Sequence, residues 1–171
     1  MGDRLGRDFY RQDVLDVAPG LLGKQLVRIQ PDGNRSIYTI TETEAYRGGD
    51  DRACHASKGR TPRTEVMFGD GGHLYVYLIY GMYWMLNVVT GSQEVPQAVL
   101  FRGLQQASGP GRLTRLIGVD KGYYGEDLVN SDRIWIEESG FRPAYTTEPR
   151  VGIDYAGDPW KDMPWRFLIN L

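Results

Sequence analysis

Leu74-Tyr75-Val76-Tyr77-Leu78-Ile79-Tyr80-Gly81-Met82-Tyr83-Trp84-Met85-Leu86-Asn87-Val88-Val89-Thr90 is the stretch on which the fold turns. It lies inside a run from Gly71 to Gln93, 23 residues without Asp, Glu, Lys or Arg. That length is enough for a transmembrane helix. The composition argues otherwise: Tyr75, Tyr77, Tyr80, Tyr83, His73 and Asn87 are spread along the run and Gly81 sits in its middle, whereas the aromatics of a membrane span gather at its ends. β-Branched and aromatic residues broken at Tyr80-Gly81 predict two strands, Leu74–Tyr80 and Met82–Thr90, with Gly81 at a tight reversal. Tyr75, Tyr77 and Ile79 then share one face, either a wall for a planar ligand or a sheet core. A large aromatic such as Tyr80 has little core to enter at a hairpin tip, and such a side chain can wedge between base steps of DNA. Asn87 is polar in an apolar strand, so its amide needs partners if buried.

Upstream, Asp13–Leu22 predicts a short helix. Lys24–Ile29 and Ser36–Tyr46 predict a hairpin about the turn Pro31-Asp32-Gly33-Asn34. Gly48–Gly59 is a polar loop. Downstream come a strand at Ala98–Gly103, a helix over Arg112–Ile117 started at Gly109-Pro110-Gly111 and stopped by Gly118, and short strands at Ile134–Glu137 and Phe167–Ile169. Adjacent strands with few helices and no βαβ alternation predict an α+β fold on a largely antiparallel sheet. The 171 residues suit one domain spanning 1–171.

The net charge of −2 taken alone argues against a protein that coats nucleic acid. The average hides a pattern: residues 58–123 carry seven basic and four acidic side chains, residues 124–164 four basic and nine acidic. The acidic residues of 124–164 are therefore expected to fall mostly on the face away from any nucleic acid. One cysteine, Cys54, excludes an internal disulfide and suits a reducing compartment. That cysteine and two histidines, His55 and His73, leave little for a zinc site. No export signal is evident at the start, so the chain is not expected to be secreted. Neither a phosphate-binding GxxxxGK loop, a GxGxxG nor a GxSxG is present.

Four segments carry candidate chemistry. In Thr41-Glu42-Thr43-Glu44-Ala45-Tyr46, a strand puts Glu42, Glu44 and Tyr46 on one face, where a carboxylate of raised pKa can serve as a base. From this segment alone a solvated strand face is the better reading. Paired carboxylates also raise a carbohydrate hydrolase, although both would stand on one side of the sugar. The helix start at Gly109-Pro110-Gly111-Arg112 offers N–H groups to a phosphate. His55 to Arg63 reads as a phosphate-contact strip or a solvated loop. Cys54 beside His55 suggests a nucleophile only by adjacency, which rarely makes a catalytic pair.

The strings Thr43-Glu44-Ala45-Tyr46, Ala53-Cys54-His55, Thr61-Pro62-Arg63 and Leu74–Tyr83 occur in that order, followed by Asn87, Val99-Leu100-Phe101-Arg102, Ser108-Gly109-Pro110 and Arg150-Val151-Gly152-Ile153. Together they closely resemble the alkyladenine (3-methyladenine, methylpurine) DNA glycosylase family, from about Arg7 to Leu168. The resemblance implies a compact mixed domain around a curved antiparallel sheet with a protruding hairpin. It implies a monofunctional enzyme, working without metal or cofactor, that flips alkylated or deaminated purines from duplex DNA and hydrolyses the glycosidic bond.

On that resemblance Glu44 matches the general base, Arg102 a residue that helps hold the water, and the Val151 carbonyl a further water ligand. Tyr46, His55 and Tyr77 match the slot for the flipped base, and Asn87 the residue that disfavours guanine. Tyr80 matches the intercalating wedge. Thr61, Arg63, Met82, Tyr83, Gly109 and Arg112 match positions near the DNA. Tyr46 is expected to give Glu44 apolar surroundings. Damaged duplex DNA is the expected partner, with no membrane. A monomer is expected, in the cytoplasm beside the nucleoid if bacterial or in the nucleus if eukaryotic.

Overall fold

The computed structural model describes residues 2–170. Helix α1 (Arg7–Tyr10) is a single turn, and α2 (Val14–Gly20) begins where the Asp13 side chain accepts the Leu15 N–H at 2.8 Å, a normal N-cap. Strands β1 (Gln25–Ile29) and β2 (Arg35–Arg47) form the first hairpin. The second is β3 (Leu74–Ile79) with β4 (Tyr83–Thr90), followed by β5 (Gln97–Leu104) and the two-residue β6 (Ala107–Ser108). Helix α3 (Pro110–Ile117) ends at Gly118, whose φ of 71° supplies the left-handed stop expected of it. Strands β7 (Ile134–Glu137), β8 (Tyr145–Glu148) and β9 (Arg166–Ile169) complete the sheet.

The strands run in the order β3-β4-β5-β2-β1-β7, with β9 also pairing β2 and β8, and every pairing is antiparallel. The sheet is open rather than closed into a barrel. The expected α+β fold on an antiparallel sheet is thus what the chain adopts. The differences are at the margins: α1, β6 and β8 were not expected, and β2 runs one residue further at each end.

Both faces of the β3-β4-β5 region are covered, and alternation sorts the side chains between them. Leu74, Val76, Leu86, Val88, Val99 and Phe101 enter the main core with α2 and α3. Tyr75, Val89 and Ala98 enter a second core beneath the 53–68 loop, with Cys54, Ala56 and Met67. The aromatic wall and the sheet core raised as alternatives are therefore the same surface.

The decisive irregularity is in β2. Tyr38 and Ile40 point into the main core, yet further along it is Ala45 that does so, and Thr43 bonds the Ala18 carbonyl on α2 at 2.8 Å. The register against β5 shifts on both sides of Glu42. This β-bulge exchanges the faces, as bulges do. An unbroken strand would have driven Glu44 into the main core with Ile40. The bulge sends it to the opposite face.

The tip of the β3–β4 hairpin is the three residues between the paired Ile79 and Tyr83, with φ of 52° at Tyr80 and 65° at Gly81 and a turn closed by the Met82 N–H on the Ile79 carbonyl at 3.0 Å. Glycine at 81 takes that conformation freely, but Tyr80 holds it against its steric preference. Gly111 is required for another reason. A Cβ there would stand 2.8 Å from the Tyr83 ring, so its absence lets α3 sit against the hairpin. The Thr114 hydroxyl fixes that docking through the Trp84 carbonyl at 2.8 Å.

Candidate active site

Glu44 lies at the heart of a cleft of ≈ 370 Å³ on the second face of the sheet, with no exposed surface of its own. The solvated face read from its segment is overturned, because the bulge and the strands on either side enclose it. Its carboxylate is held on both oxygens. The Tyr46 hydroxyl donates to Oε1 at 2.8 Å, and the Val151 N–H donates to Oε2 at 2.7 Å. Arg102 Nε stands 3.8 Å from Oε2.

Burial raises the Glu44 carboxyl above the ordinary range, while the Arg102 charge and the two donated hydrogen bonds pull the other way. Tyr46 therefore does not act only as an apolar neighbour, as expected from the strand pattern. It donates to the carboxylate and steadies its charged form. Burial and the Glu44 charge push the Tyr46 phenol well above its usual value, so it stays protonated and keeps donating.

Glu42 makes a different environment two residues away. It pairs with Arg102 Nε at 3.1 Å and with Arg166 Nη1 at 3.3 Å, and it does not line the cleft. A two-carboxylate sugar hydrolase has no second free carboxylate in this arrangement.

Tyr46, His55 and Tyr77 line the cleft together. The His55 and Tyr77 rings meet at 4.6 Å between centroids. His55 Nδ1 is 2.7 Å from the hydroxyl of Tyr75, which is buried behind it. Burial, with Arg63 and Lys58 nearby, pushes the imidazole down to about 4, so it is neutral at physiological pH. Asn87 Nδ2 donates to the Tyr75 carbonyl at 3.1 Å, a backbone partner, and Asn87 lines a small cavity contiguous with His55 and Tyr77. Cys54 lines that cavity too, with a thiol pushed up by burial to about 11, which removes it as a nucleophile at neutral pH.

The remaining residues surround the mouth. Tyr80 is 87% exposed at the hairpin tip and lines the cleft rim, with Met82 exposed beside it. Tyr83 is half-buried against Gly111, so it is a packing residue in the free protein. Gly109 caps α3 with φ 102°, and Arg112 is exposed on the first turn. Thr61 closes its own loop, its N–H donating to Thr64 Oγ1 at 2.9 Å. The Arg63 guanidinium lies 4.9 Å from the centre of the Tyr77 ring, beside the slot. Val151 is exposed and meets Glu44 through its amide, whereas its carbonyl was the group expected to act.

Tyr155 was missed. It is exposed, lines the cleft and is tethered by its hydroxyl to the Ala53 carbonyl at 3.2 Å. No sequence signal marked it, since it stands alone in a polar stretch. Its position, with Val151 to Ile153, brings part of the 124–164 span to the cleft, although among the described residues no Asp or Glu of that span lines it. The carboxylates of the span are largely spent in ion pairs, such as Glu126–Arg133, Asp127–Arg7 and Glu137–Arg35. Among the described residues no helix is long and apolar enough to cross a membrane.

Fold and site together define an antiparallel α+β domain whose cleft holds a buried carboxylate, Glu44, hydrogen-bonded on both oxygens beneath an aromatic slot. Comparison with known proteins narrows it. The family model described as methylpurine-DNA glycosylase (MPG) matches residues 8–108 and 105–171. A protein of Methanocella arvoryzae is 44% identical over 95% of this chain and 90% of its own. One of Desulfitobacterium hafniense is 42% identical over 98% and 95%, and one of Anaeromyxobacter dehalogenans 44% over 98% and 84%. All three carry the name "Putative 3-methyladenine DNA glycosylase". The chain belongs to the methylpurine-DNA glycosylase family, and with it to the DNA glycosylases.

Proposed function

We propose that this protein excises alkylated and deaminated purines of the 3-methyladenine, 7-methylguanine, hypoxanthine and ethenoadenine class from duplex DNA, leaving an abasic site. The observation that carries the reading is Glu44, a buried carboxylate with two fixed donors and an aromatic slot directly beside it. A base inside a duplex is out of reach, so it is rotated into the slot of Tyr46, His55 and Tyr77. Tyr80 enters the stack from the minor groove and offsets part of the lost stacking.

Glu44 takes a proton from a water molecule aided by Arg102 and the Val151 backbone. The water oxygen bonds to C1′ of the sugar, and the electron pair of the C1′–N bond leaves with the purine. Hypoxanthine and ethenoadenine are neutral in the strand and must gain a proton from solvent as they leave, whereas a purine methylated at N3 or N7 is cationic and departs as a neutral base. The slot favours it by cation–π attraction, and a neutral His55 sets no charge against it. Asn87 at the inner end disfavours the exocyclic amine of guanine. Among the described residues no lysine lines the cleft to offer an amine to C1′, which supports a reaction that ends at hydrolysis without strand cleavage.

The test is release of free base from duplexes containing 3-methyladenine or hypoxanthine, with the strand intact until alkali treatment. Sequence-independent binding without base release would overturn the reading.

A further inference from the structure

Arg150 and Asp51 form an ion pair with both side chains wholly enclosed, 0% exposed on each side. The fork is bidentate: Arg150 Nη1 donates to Asp51 Oδ2 at 2.6 Å and Nη2 to Oδ1 at 2.9 Å. The same nitrogens donate to the carbonyls of Ala45 at 3.0 Å and Trp160 at 3.2 Å. Asp51 also accepts the backbone N–H groups of Arg47 at 3.0 Å and Ala53 at 3.1 Å. The guanidinium lies 4.9 Å from the Tyr46 ring centre and 5.0 Å from that of Trp165.

A pair this deep is a poor stability device, because desolvation offsets the attraction and an apolar replacement is often as stable. What it can do is specify geometry, and its partners show which. Ala45 and Arg47 flank Tyr46, Ala53 leads to His55, and Val151 follows Arg150 directly. Tyr46 and Val151 are the two groups that donate to Glu44. Neither Asp51 nor Arg150 lines the cleft.

We propose that Asp51 and Arg150 are positioning residues for base excision: one buried pair locks the Tyr46 ring and the Val151 amide against Glu44 and anchors the loop that carries His55. Slot and water-activating carboxylate are thereby set by a single clamp. The proposal rests on the assignment of Glu44 as the general base.

Two variants test it. D51L/R150M replaces the pair by apolar side chains, and R150K keeps the charge but loses the fork. Three quantities are measured: single-turnover excision against pH, affinity for a duplex carrying an abasic analogue, and the NMR titration of the Glu44 carboxyl carbon in DNA-free protein. The folded double variant is expected to bind the abasic duplex with wild-type affinity and to excise on the order of 10²-fold more slowly. Its acid limb and its Glu44 titration are expected to move to higher pH, because both donors loosen, with R150K between it and wild type. A folded double variant with wild-type rate, limb and titration overturns the proposal. If the double variant does not fold, R150K decides in the same way. A shifted Glu44 titration in a protein whose wild type releases no base supports the clamp and sinks the glycosylase reading instead.

Discussion

The Tyr46 hydroxyl donates to Glu44 Oε1 at 2.8 Å from two positions along the same strand. A wall of the proposed base slot is thus wired to the proposed base. Loss of that donor leaves burial less opposed. Tyr46→Phe, which keeps the ring, is expected to raise the Glu44 carboxyl further and shift the acid limb of excision to higher pH, with little change on the alkaline side. The kcat profile between acid and neutral pH checks it. An unshifted limb would remove Tyr46 from the electrostatics of Glu44.

Glu44→Gln is expected to lower single-turnover excision by about 10²–10⁴-fold, the usual contribution of a general base, while leaving affinity for an abasic duplex intact. It has a stability counterpart. The folded-state carboxyl lies above its unfolded value, so its burial costs stability at neutral pH and costs nothing once both states are protonated. Glu44→Gln is therefore expected to be the more heat-stable protein at neutral pH, the difference closing as pH falls below the ordinary carboxylate range. Calorimetry at three pH values decides it.

Tyr80 trades stability for reach. Its left-handed φ of 52° costs about 1 kcal/mol that Asn at the same turn position largely avoids. Tyr80→Asn is expected to raise Tm slightly and to lose excision from matched duplex far more than from a lesion already unpaired. A variant less stable than wild type, or equally active on both substrates, contradicts that account.

His55 binds its proton near 6.5 in the unfolded chain but only near 4 in the fold. The fold keeps this contribution fully above pH 6.5 and loses it as pH falls toward 4. Wild type is thus expected to lose more stability over that window than His55→Gln. Parallel losses in urea titrations at pH 7 and 4.5 would show that the imidazole titrates freely.

Of the seven basic residues of 58–123, Arg60 and Arg102 are committed to ion pairs, which leaves Lys58, Arg63, Arg112, Arg115 and Lys121. Five phosphate contacts limit the slope of log K against log salt to about −4.5. A steeper slope on undamaged duplex would mean that cations outside this span meet the DNA.

Local signals were enough for the hairpins, for α2 and α3, and for the reversal at Gly81, because strand composition, caps and turn glycines act within a few residues. The Glu44–Tyr46 pairing on one face was legible for the same reason. The environment of Glu44 was not. A peptide of the sequence Thr41–Tyr46 presents two equivalent glutamates, and only the partners of β2 separate them: Arg102 and Arg166 claim Glu42, while Val151 and Tyr46 claim Glu44. Strand β8 escaped notice because its residues are all exposed and it forms only through β9.

The chain's own pattern was thus enough to set an antiparallel α+β fold, the hairpin with tyrosine at its tip and the motif that marks the family, since each is written in neighbouring residues. The bulge at Glu42, the raised carboxyl of Glu44 and lowered imidazole of His55, and the clamp of Asp51 on Arg150 across 99 residues exist only once the sheet is assembled. They depend on burial and on contacts between distant segments, and a carboxylate acquires its pKa from what encloses it rather than from the residues beside it in the chain.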